Sequence, residues 1–215
     1  MKKQKLDKID QLFVDAQKRL ATSNYSTKKM KEFLKKKGGS KKEIEEVIFK
    51  LKKYAFLDED EIVKNVLSYC DAKHYGHNKI ISMLKLREID QSKIDNIIYD
   101  EARELKESKN MQNKLIKRYK NKNTVNLRQS IYNALIRYGF EENIASLRAK
   151  EVYKTSQEEI NMLKLDYLKL VSSYSRKLKD KKLKEKVKDS LLSKGYKLND
   201  IRKVESNIWN GLKTL

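Results

Sequence analysis

The amino-acid sequence predicts an all-α fold, built as an elongated, curved array of tandem three-helix repeats. Proline is absent and glycine occurs only six times in 215 residues, so little interrupts helices except at turns. In addition, one sequence motif recurs. A helix ends on apolar residues, the chain turns, and the apolar face of another helix follows. The turns fall at positions 38, 88, 139 and 195, separated by 50, 51 and 56 residues. This near-constant spacing predicts an internal repeat.

The first predicted repeat spans residues 1–57 and contains three helices. From Leu6 onward, apolar residues at three- and four-residue spacing give the first helix one buried stripe. The second helix ends at Gly38, because glycine readily adopts the positive φ of a helix-ending turn. Ser40 and Glu43 then form a predicted capping box, which begins the third helix.

The second predicted repeat spans residues 58–108 and begins with four consecutive carboxylates at positions 58–61. Negative charge is favoured at the start of a helix by the helix dipole. The first helix of this repeat ends near Gly76, and apolar residues within 94–105 predict its third helix. Glu88 occupies the turn position, so the spacing of the repeat is kept here without the glycine.

The third and fourth predicted repeats span residues 109–153 and 154–215, with turns at Gly139 and Gly195. Each again carries three apolar-striped segments of helical spacing. A module of roughly fifty residues exposes too much apolar edge to be stable alone, so neighbouring repeats are expected to stack into a solenoid.

The net charge of +21 predicts a polyanionic partner, because phosphates would neutralise a surface that otherwise repels itself. A lysine-rich source proteome is the alternative explanation. Counted as Lys and Arg minus Asp and Glu, the four repeats carry +10, −4, +7 and +8 in chain order. Lysine bias alone does not account for an acidic second repeat, so the pattern favours two kinds of partner surface.

Basic residues are the candidates for phosphate contacts, since Lys and Arg dominate the affinity of proteins for nucleic acids. Tyr119 and Tyr138 are interleaved with them and could stack on exposed bases, or could belong to the core at helical spacing. The lysines could likewise form only a solvated face. The candidate nucleic-acid-binding residues are Lys79, Lys114, Lys117, Arg118, Lys120, Lys122, Arg128, Arg137, Lys182 and Lys186.

The acidic start of the second repeat supplies the candidate contacts with a protein partner, which are Asp58, Glu59 and Glu61. A catalytic or metal-binding role is the alternative for this stretch. Consecutive residues point in different directions around a helix, so they do not converge as two positioned carboxylates must. Complementarity to the helix dipole is the favoured interpretation.

No metal site, cofactor or catalytic centre is expected from the sequence. Cys70, His74 and His77 fall at i, i+4 and i+7, but Gly76 is expected to end the helix between the histidines, and no fourth ligand is evident. Phosphate-binding glycine loops and hydrolase motifs are absent. The single cysteine fits a reducing cytoplasm, and no apolar run approaches a membrane span, so an intracellular protein without membrane contact is expected.

Three phrases of the sequence occur in the order expected of one family. They are YAFLDE at residues 54–59, YGHNK at residues 75–79, and LIRYGF at residues 135–140, with a looser copy of the last at residues 191–196. In these phrases and in its repeat length, the chain resembles the RecX family, the small regulators of the RecA recombinase, over most of its length.

The resemblance implies a monomeric cytoplasmic regulator without a cofactor or chemistry of its own. Such a protein would lie in the helical groove of the RecA nucleoprotein filament, bridge adjacent protomers, and reach single-stranded or filament-bound DNA with its basic edges. It would restrain ATP turnover, strand exchange and coprotease action. The alternative hypothesis is a general nucleic-acid-binding helical array without RecA contact, and a structural scaffold is a third.

Overall fold

The computed structural model describes the backbone of residues 7–212 and the side chains of residues 7–208. Within these residues the protein contains twelve α-helices and no strand, so the predicted all-α class is confirmed. None of the described helices is long and apolar enough to cross a bilayer. The helices are α1 (Lys8–Leu20), α2 (Thr27–Lys36), α3 (Lys41–Lys53), α4 (Glu59–Lys73), α5 (His77–Leu86), α6 (Gln91–Asp95), α7 (Glu101–Arg118), α8 (Thr124–Arg137), α9 (Glu142–Lys150), α10 (Ser156–Tyr174), α11 (Asp180–Ser193) and α12 (Leu198–Leu212).

Local capping signals set the starts of several helices. In the capping box before α3, Ser40 Oγ accepts a hydrogen bond from the Glu43 N–H, and Glu43 Oε2 accepts one from the Ser40 N–H at 2.7 Å. The predicted box is therefore confirmed. Thr155 and Glu158 form an equivalent box before α10. Both boxes satisfy backbone donors that a helix cannot pair within itself.

The four repeat turns share one backbone conformation. Gly38, Gly139 and Gly195 have φ values of +82°, +87° and +87°, and Glu88 adopts a φ of +58°. After three of these turns, at positions 39, 89 and 196, the next amide donates to a carbonyl five residues earlier over 3.1–3.2 Å. This is the bonding pattern of a glycine-type helix end. The helical repeat is confirmed, and at Glu88 it persists without the glycine.

The third helix of the second repeat is shorter than predicted. Helix α6 ends at Asp95, the next five residues are not helical, and Leu105 lies in α7, which runs through the predicted boundary at position 108. Asp100 Oδ1 accepts a hydrogen bond from the Arg103 N–H at 3.0 Å, which caps the start of α7. The apolar spacing through Ile98 suggested a continuous helix, but that side chain is 85% exposed.

The chain divides into two compact units. One comprises Met1–Glu107 with Tyr138–Phe140, and the other comprises Ser108–Arg137 with Glu141–Leu215. In the first unit, one apolar cluster joins α1, α2 and α3 around Met30, Leu34 and Val47, and a second joins α4, α5 and α6 around Val66. In the second unit, α10, α11 and α12 enclose a cluster around Tyr167. Other buried residues of this unit include Leu115, Leu127, Ile131, Leu135 and Ile144.

A close approach of two glycines organises the start of α5 in the first unit. A Cβ atom on Gly76 would lie 2.4 Å from the Gly139 carbonyl oxygen, and one on Gly139 would lie 2.2 Å from the Lys79 nitrogen. The Gly76 N–H donates to the Tyr138 carbonyl at 2.9 Å, and the Asn78 N–H donates to the Gly139 carbonyl at 3.0 Å. Glycine is required at both positions because no side chain fits between the two backbones.

Candidate nucleic-acid and partner surfaces

Five of the candidate basic residues lie within nine consecutive positions of the second unit. Lys114, Lys117 and Arg118 are exposed on α7 at i, i+3 and i+4, a spacing that brings side chains together on one helical face. Lys120 and Lys122 follow in the exposed connection to α8. This segment, residues 114–122, is called the α7 basic segment below.

The half-buried Tyr119 ring holds two cations of the α7 basic segment in place. The Arg118 guanidinium lies 5.8 Å from the ring centroid, and the Lys122 ammonium lies 5.0 Å from it. Cations within about 6 Å of an aromatic face are attracted to it. Lys122 Nζ also donates to Ser130 Oγ at 2.6 Å. Tyr119 therefore orders the basic segment, which favours packing over base stacking for this residue.

Arg128 and Arg137 lie on α8 and are both exposed. Arg128 Nε donates to the Val152 carbonyl at 2.7 Å, which fixes the guanidinium beside the end of α9. The planar guanidinium has four further N–H groups, on its terminal nitrogens, with which to meet an anion. Arg137 is the last residue of α8, where a cation complements the negative end of the helix dipole.

Tyr138 belongs to the first unit and packs within an aromatic cluster. Its half-buried ring stacks on Tyr75 with centroids 5.5 Å apart and planes inclined by 12°, and Tyr75 meets Tyr69 edge-on at 6.0 Å. These are ordinary geometries for packed aromatic rings. The packing interpretation of Tyr138 is therefore favoured over base stacking.

The remaining candidate cations lie apart from the α7 basic segment in sequence. Lys182 and Lys186 are exposed one turn apart on α11 in the second unit. Lys79 lies in the first unit, half-buried in the first turn of α5, where its backbone meets Gly139. Nine of the ten candidate cations thus belong to the second unit.

Three of the four carboxylates at the start of α4 make contacts within the fold. Asp58 Oδ1 accepts hydrogen bonds from the Asp60 N–H at 2.8 Å and the Glu61 N–H at 3.2 Å, so Asp58 is the N-cap of α4. Glu59 is buried. The Asp60 carboxylate pairs with Lys93. Glu61 is exposed in the first turn, so it is the acidic side chain best placed for an outside partner.

The buried Glu59 carboxylate joins three helices of the first unit. Its Oε1 accepts a hydrogen bond from the Thr27 N–H, the first amide of α2, at 2.6 Å. Its Oε2 accepts one from the Asp90 N–H, just before α6, at 3.4 Å. A negative charge at helix N-termini is stabilised both by the amides and by the helix dipole. Glu59 therefore acts within the fold, and the acidic partner surface reduces to its exposed neighbours.

The same glutamate contact occurs at two further places. Glu104 of α7 accepts from the His77 N–H, the first amide of α5, at 2.7 Å, and both lie in the first unit. Glu159 of α10 accepts from the Thr124 N–H, the first amide of α8, at 2.5 Å within the second unit. In each case a glutamate in the first helix of one triplet caps the second helix of the preceding triplet. These contacts are called the glutamate joints below.

The sequence signal for the glutamate joints is a glutamate near the start of a helix, which hydrophobic periodicity does not reveal. Glu59, Glu104 and Glu159 each lie within the first four residues of a helix that opens a triplet. They lie 21, 16 and 20 residues after the preceding register turns, so aligning the repeats on those turns does not superimpose them. The role of each glutamate could not be read from the sequence, because the amide it meets lies 27 to 35 residues earlier.

Cys70, His74 and His77 enter three separate contacts. The Cys70 thiol is buried against the Met83 sulfur at 3.7 Å, and burial raises the pKa of the thiol. His74 Nδ1 lies 2.5 Å from Glu107 Oε2, and the His77 ring meets Tyr99 edge-on at 5.5 Å. Among the described residues, no group of three acidic, histidine or cysteine side chains is arranged to hold a metal ion.

Comparison with known proteins relates the chain to one group of regulatory proteins. No family model matches it. It is 29% identical over 211 residues to the regulatory protein RecX of Bacillus pumilus (strain SAFR-032), and the match covers 91% of this chain and 79% of that one. The resemblance to RecX proteins inferred from the sequence is thereby confirmed.

Two solved structures share the fold. The crystal structure of RecX from Lactobacillus salivarius has a TM-score of 0.57 at 19% identity, covering 66% of this chain and 95% of that one. A second crystal structure, of a regulatory protein RecX, has a TM-score of 0.52 at 19% identity and covers 70% and 81% of the two chains. The all-α helical repeat of this chain is therefore the architecture of known RecX proteins.

Proposed function

We propose that this chain, a relative of the RecX regulatory proteins in sequence and in fold, binds the RecA nucleoprotein filament along its groove and inhibits its activities. The observation that carries the proposal is the similarity to a RecX protein over 91% of the chain. The helical repeat supports it, because a tandem array offers contacts at successive positions to a partner that is itself repetitive. The protein is proposed to act as a cytoplasmic monomer without a cofactor.

The proposed mechanism is a shift of conformational population rather than catalysis. A ligand that spans several protomers gains affinity through linked contacts, provided that their spacing fits the ligand. It therefore favours the filament geometry that it fits best and disfavours the others, by no more than its difference in affinity between them. ATP turnover, strand exchange and coprotease action, which need other geometries or free access to the groove, would fall together.

The two kinds of charged surface suggest two kinds of contact. The α7 basic segment, with Arg128, Arg137, Lys182 and Lys186, is proposed to face phosphates of filament-bound or single-stranded DNA. Lys79 is proposed as a separate phosphate contact of the first unit. Asp58 and Glu61, exposed at the start of α4, are proposed to face RecA. Opposite signs on the two surfaces would favour one orientation in the groove.

The central test is the ATPase of RecA on single-stranded DNA, titrated with this protein. The proposal expects the rate to fall as the protein approaches stoichiometry with the filament. An unchanged rate at stoichiometric addition contradicts it. Co-sedimentation with RecA filaments, with and without DNA, separates filament binding from binding to free DNA.

A charge variant tests the acidic surface without disturbing the fold. Asp58→Asn keeps an N-cap side chain, and Glu61→Lys reverses an exposed charge, whereas Glu59 is left unchanged because it is buried. The double variant is expected to inhibit RecA more weakly and to bind free DNA equally or more tightly. Glu45→Lys, an exposed charge reversal on α3 of the same unit, is the control and should leave RecA inhibition intact.

A general nucleic-acid-binding array is the second candidate, favoured by the net charge of +21. It predicts binding to DNA or RNA that weakens steeply with salt and is unaffected by RecA, because released counterions would supply the affinity. Under this alternative the acidic double variant would bind DNA equally or more tightly and have no RecA phenotype. RecA inhibition at salt concentrations that abolish binding to free DNA would exclude it.

A further inference from the structure

Two clefts occupy equivalent places in different repeats. The first, called the α2 cleft, has a volume of about 770 Å³ and lies in the first unit beside Thr27, at the start of α2. The second, called the α8 cleft, has a volume of about 630 Å³ and lies in the second unit beside Thr124, at the start of α8. Each contains the glutamate of a joint, Glu59 or Glu159. The clefts therefore arise from the same feature of the repeat and can be compared directly.

The α2 cleft is largely neutralised by its own side chains. Five lysines and four carboxylates line it. Lys28 pairs with Glu88 at 3.3 Å, and Lys93 pairs with the Asp60 carboxylate. The Asp90 side chain accepts from the Ser92 N–H and caps α6. The lining therefore has a net charge of only +1, and two of its lysines are already paired, which gives a polyanion less to gain.

The α8 cleft carries an unmatched positive charge. Arg128, Lys154, Lys197 and Lys203 line it, against the two carboxylates of Glu159 and Asp200. The Glu159 carboxylate already accepts a hydrogen bond from the Thr124 N–H. Within the described part of the chain, no carboxylate lies within ion-pair distance of any of the four cations. Glu158, which does not line the cleft, interacts electrostatically with Lys154, and the lining itself has a net charge of +2 that can meet an anion from outside.

Backbone contacts hold two of these cations in position. Arg128 Nε donates to the Val152 carbonyl at 2.7 Å, and Lys154 Nζ donates to the Lys120 carbonyl at 2.9 Å. Each contact uses one N–H of the side chain, so four N–H groups of Arg128 and two of Lys154 stay available as donors. Groups fixed before binding lose less conformational entropy when a ligand arrives.

An exposed aromatic ring accompanies the charge. Tyr153 is 78% exposed and stands in the sequence between Val152, whose carbonyl holds Arg128, and Lys154, which lines the cleft. Its own ring does not line the cleft. Tyr119 and Tyr138, by contrast, have their rings in contact with cations or with another ring. Exposed aromatic rings combine with cationic grooves to bind single strands, because bases stack on the rings while phosphates meet the cations.

We propose that the α8 cleft binds the phosphodiester backbone of a single-stranded nucleic acid, with a base stacked on Tyr153. The proposal deepens the proposed function, on which it rests for the nature of the polyanion. It adds Lys154, Lys197 and Lys203 to the proposed phosphate contacts, beside Arg128, which was a candidate from the sequence. Duplex DNA meets the same cations through its phosphates but offers no unstacked base to the ring.

Fluorescence anisotropy of a labelled oligothymidylate of about 16 nucleotides, and of a duplex of equal length, tests the cleft on the full chain. Lys197→Ala with Lys203→Ala is expected to weaken single-strand binding about tenfold and to lower the salt slope by about 1.4. Lys31→Ala with Lys85→Ala in the α2 cleft is the matched control, because it removes the same charge from the equivalent place. It should change the affinity less than about twofold.

The role of the ring has its own variant. Tyr153→Ala is expected to weaken single-strand binding by about tenfold and to leave duplex binding unchanged, while Tyr153→Phe keeps both. All the substituted side chains are exposed, and unchanged urea midpoints should show that folding is intact. Equal losses in the two double-lysine variants, or an equal loss of duplex and single-strand binding in Tyr153→Ala, would overturn the proposal.

The same variants separate this inference from the proposed function. If the wild-type protein inhibits the RecA ATPase but does not bind the free oligonucleotide, the cleft proposal fails and the regulatory function stands. If it binds the oligonucleotide through the cleft but has no effect on RecA, the cleft proposal holds and the regulatory function fails.

Discussion

At the scale of single residues, Glu59 is expected to stabilise the first unit more than any of its acidic neighbours. Glu59→Ala removes a buried acceptor of two backbone N–H groups and should lower the free energy of unfolding by about 2–3 kcal/mol. Glu61→Ala, in the same helical turn but exposed, should change it by less than about 0.5 kcal/mol. Urea unfolding followed by circular dichroism measures both. Similar losses in the two variants would show that the Glu59 joint contributes nothing specific.

Gly38 and Gly139 allow two effects of an added side chain to be compared, backbone strain at positive φ and steric overlap with a neighbouring backbone. Both have positive φ, but an added Cβ meets nothing within 4 Å at Gly38 and lies 2.2 Å from the Lys79 nitrogen at Gly139. Gly38→Ala should therefore lower the free energy of unfolding by about 1–2 kcal/mol, because alanine must adopt the left-handed conformation. Gly139→Ala should lower the free energy of unfolding by about 1–3 kcal/mol more, because the backbones at Gly139 and Lys79 must move apart.

Urea midpoints measure the two glycine variants, and hydrogen exchange at Gly76 and Asn78 locates the effect. Their amides donate to the Tyr138 and Gly139 carbonyls and should lose protection in Gly139→Ala alone. An equal loss of stability in the two variants would contradict the close approach of the Gly139 and Lys79 backbones.

Sequence reasoning at this scale succeeded where the determinant was local. The Ser40 and Glu43 box was predictable because both partners lie within one helical turn. The burial of Glu59 was not, because its partners at positions 27 and 90 lie 32 and 31 residues away. For the same reason Lys197 and Lys203 gave no sign that they line one cleft with Arg128.

At the scale of single helices, the capping box of α3 makes part of the stability depend on pH. The hydrogen bond from the Ser40 backbone holds the pKa of the Glu43 carboxyl below its ordinary value of 4.5. A lowered pKa in the folded state contributes stability above the unfolded-state pKa, and this contribution is lost as pH falls through the lowered folded-state pKa. Glu43→Gln should therefore be less stable than wild type at neutral pH, and the difference should shrink in acid.

Urea midpoints of wild type and Glu43→Gln, measured from neutral pH to about pH 3, check the effect of the box. Glu45→Gln, on the same helix and exposed, is the control and should follow wild type throughout. A difference for Glu43→Gln that persists unchanged in acid would mean that the charge of the box is not responsible.

Glycine in place of Glu88 should stabilise the turn after α5. Glu88 has φ of +58°, a conformation that costs about 1–2 kcal/mol for a residue with a side chain. Glu88→Gly relieves this strain. Two effects oppose the gain, the greater unfolded-state entropy of glycine and the loss of exposed ion pairs with Lys28 and Lys29. The free energy of unfolding is therefore expected to rise by about 0.5–1 kcal/mol. Glu88→Gln removes the ion pairs without changing φ and should not stabilise. A destabilised glycine variant would contradict the expected strain.

The helices themselves were predictable except where apolar spacing and capping disagreed. The spacing through Ile97 and Ile98 suggested a long third helix in the second repeat, yet α6 has only five residues. The competing signal was Asp100, whose side chain caps α7. A local cap thus outweighed a run of apolar residues that the fold leaves partly in solvent.

At the scale of the whole molecule, the repeat was predictable because its register is recorded in turns rather than in side-chain identity. The spacing identified position 88 although the glycine is absent, and the backbone there is left-handed as at the other three turns. The distribution of the cationic side chains was harder to predict, since nine of the ten candidates proved to lie in one unit. Sequence spacing orders residues along the chain but does not assign them to a compact body.

The net charge of +21 could act as a diffuse field or through particular sites. Lys114→Ala, Lys117→Ala and Lys120→Ala together remove three charges from the α7 basic segment. Lys35→Ala, Lys36→Ala and Lys41→Ala remove three exposed charges from the first unit and are the control. The site-specific view expects the first triple variant to lower the slope of log affinity for single strands against log salt by about 2, at about 0.7 per lost phosphate contact, and the second to lower it little.

Titrations of a labelled single strand at several salt concentrations distinguish the two views, since both triple variants have the same net charge. Equal slopes for the two would mean that total charge alone governs binding, as a lysine-rich composition without a dedicated surface requires. A selective loss in the first variant, by contrast, follows only if the phosphates lie along the second unit, because screening limits an exposed charge to about 10 Å at ordinary ionic strength.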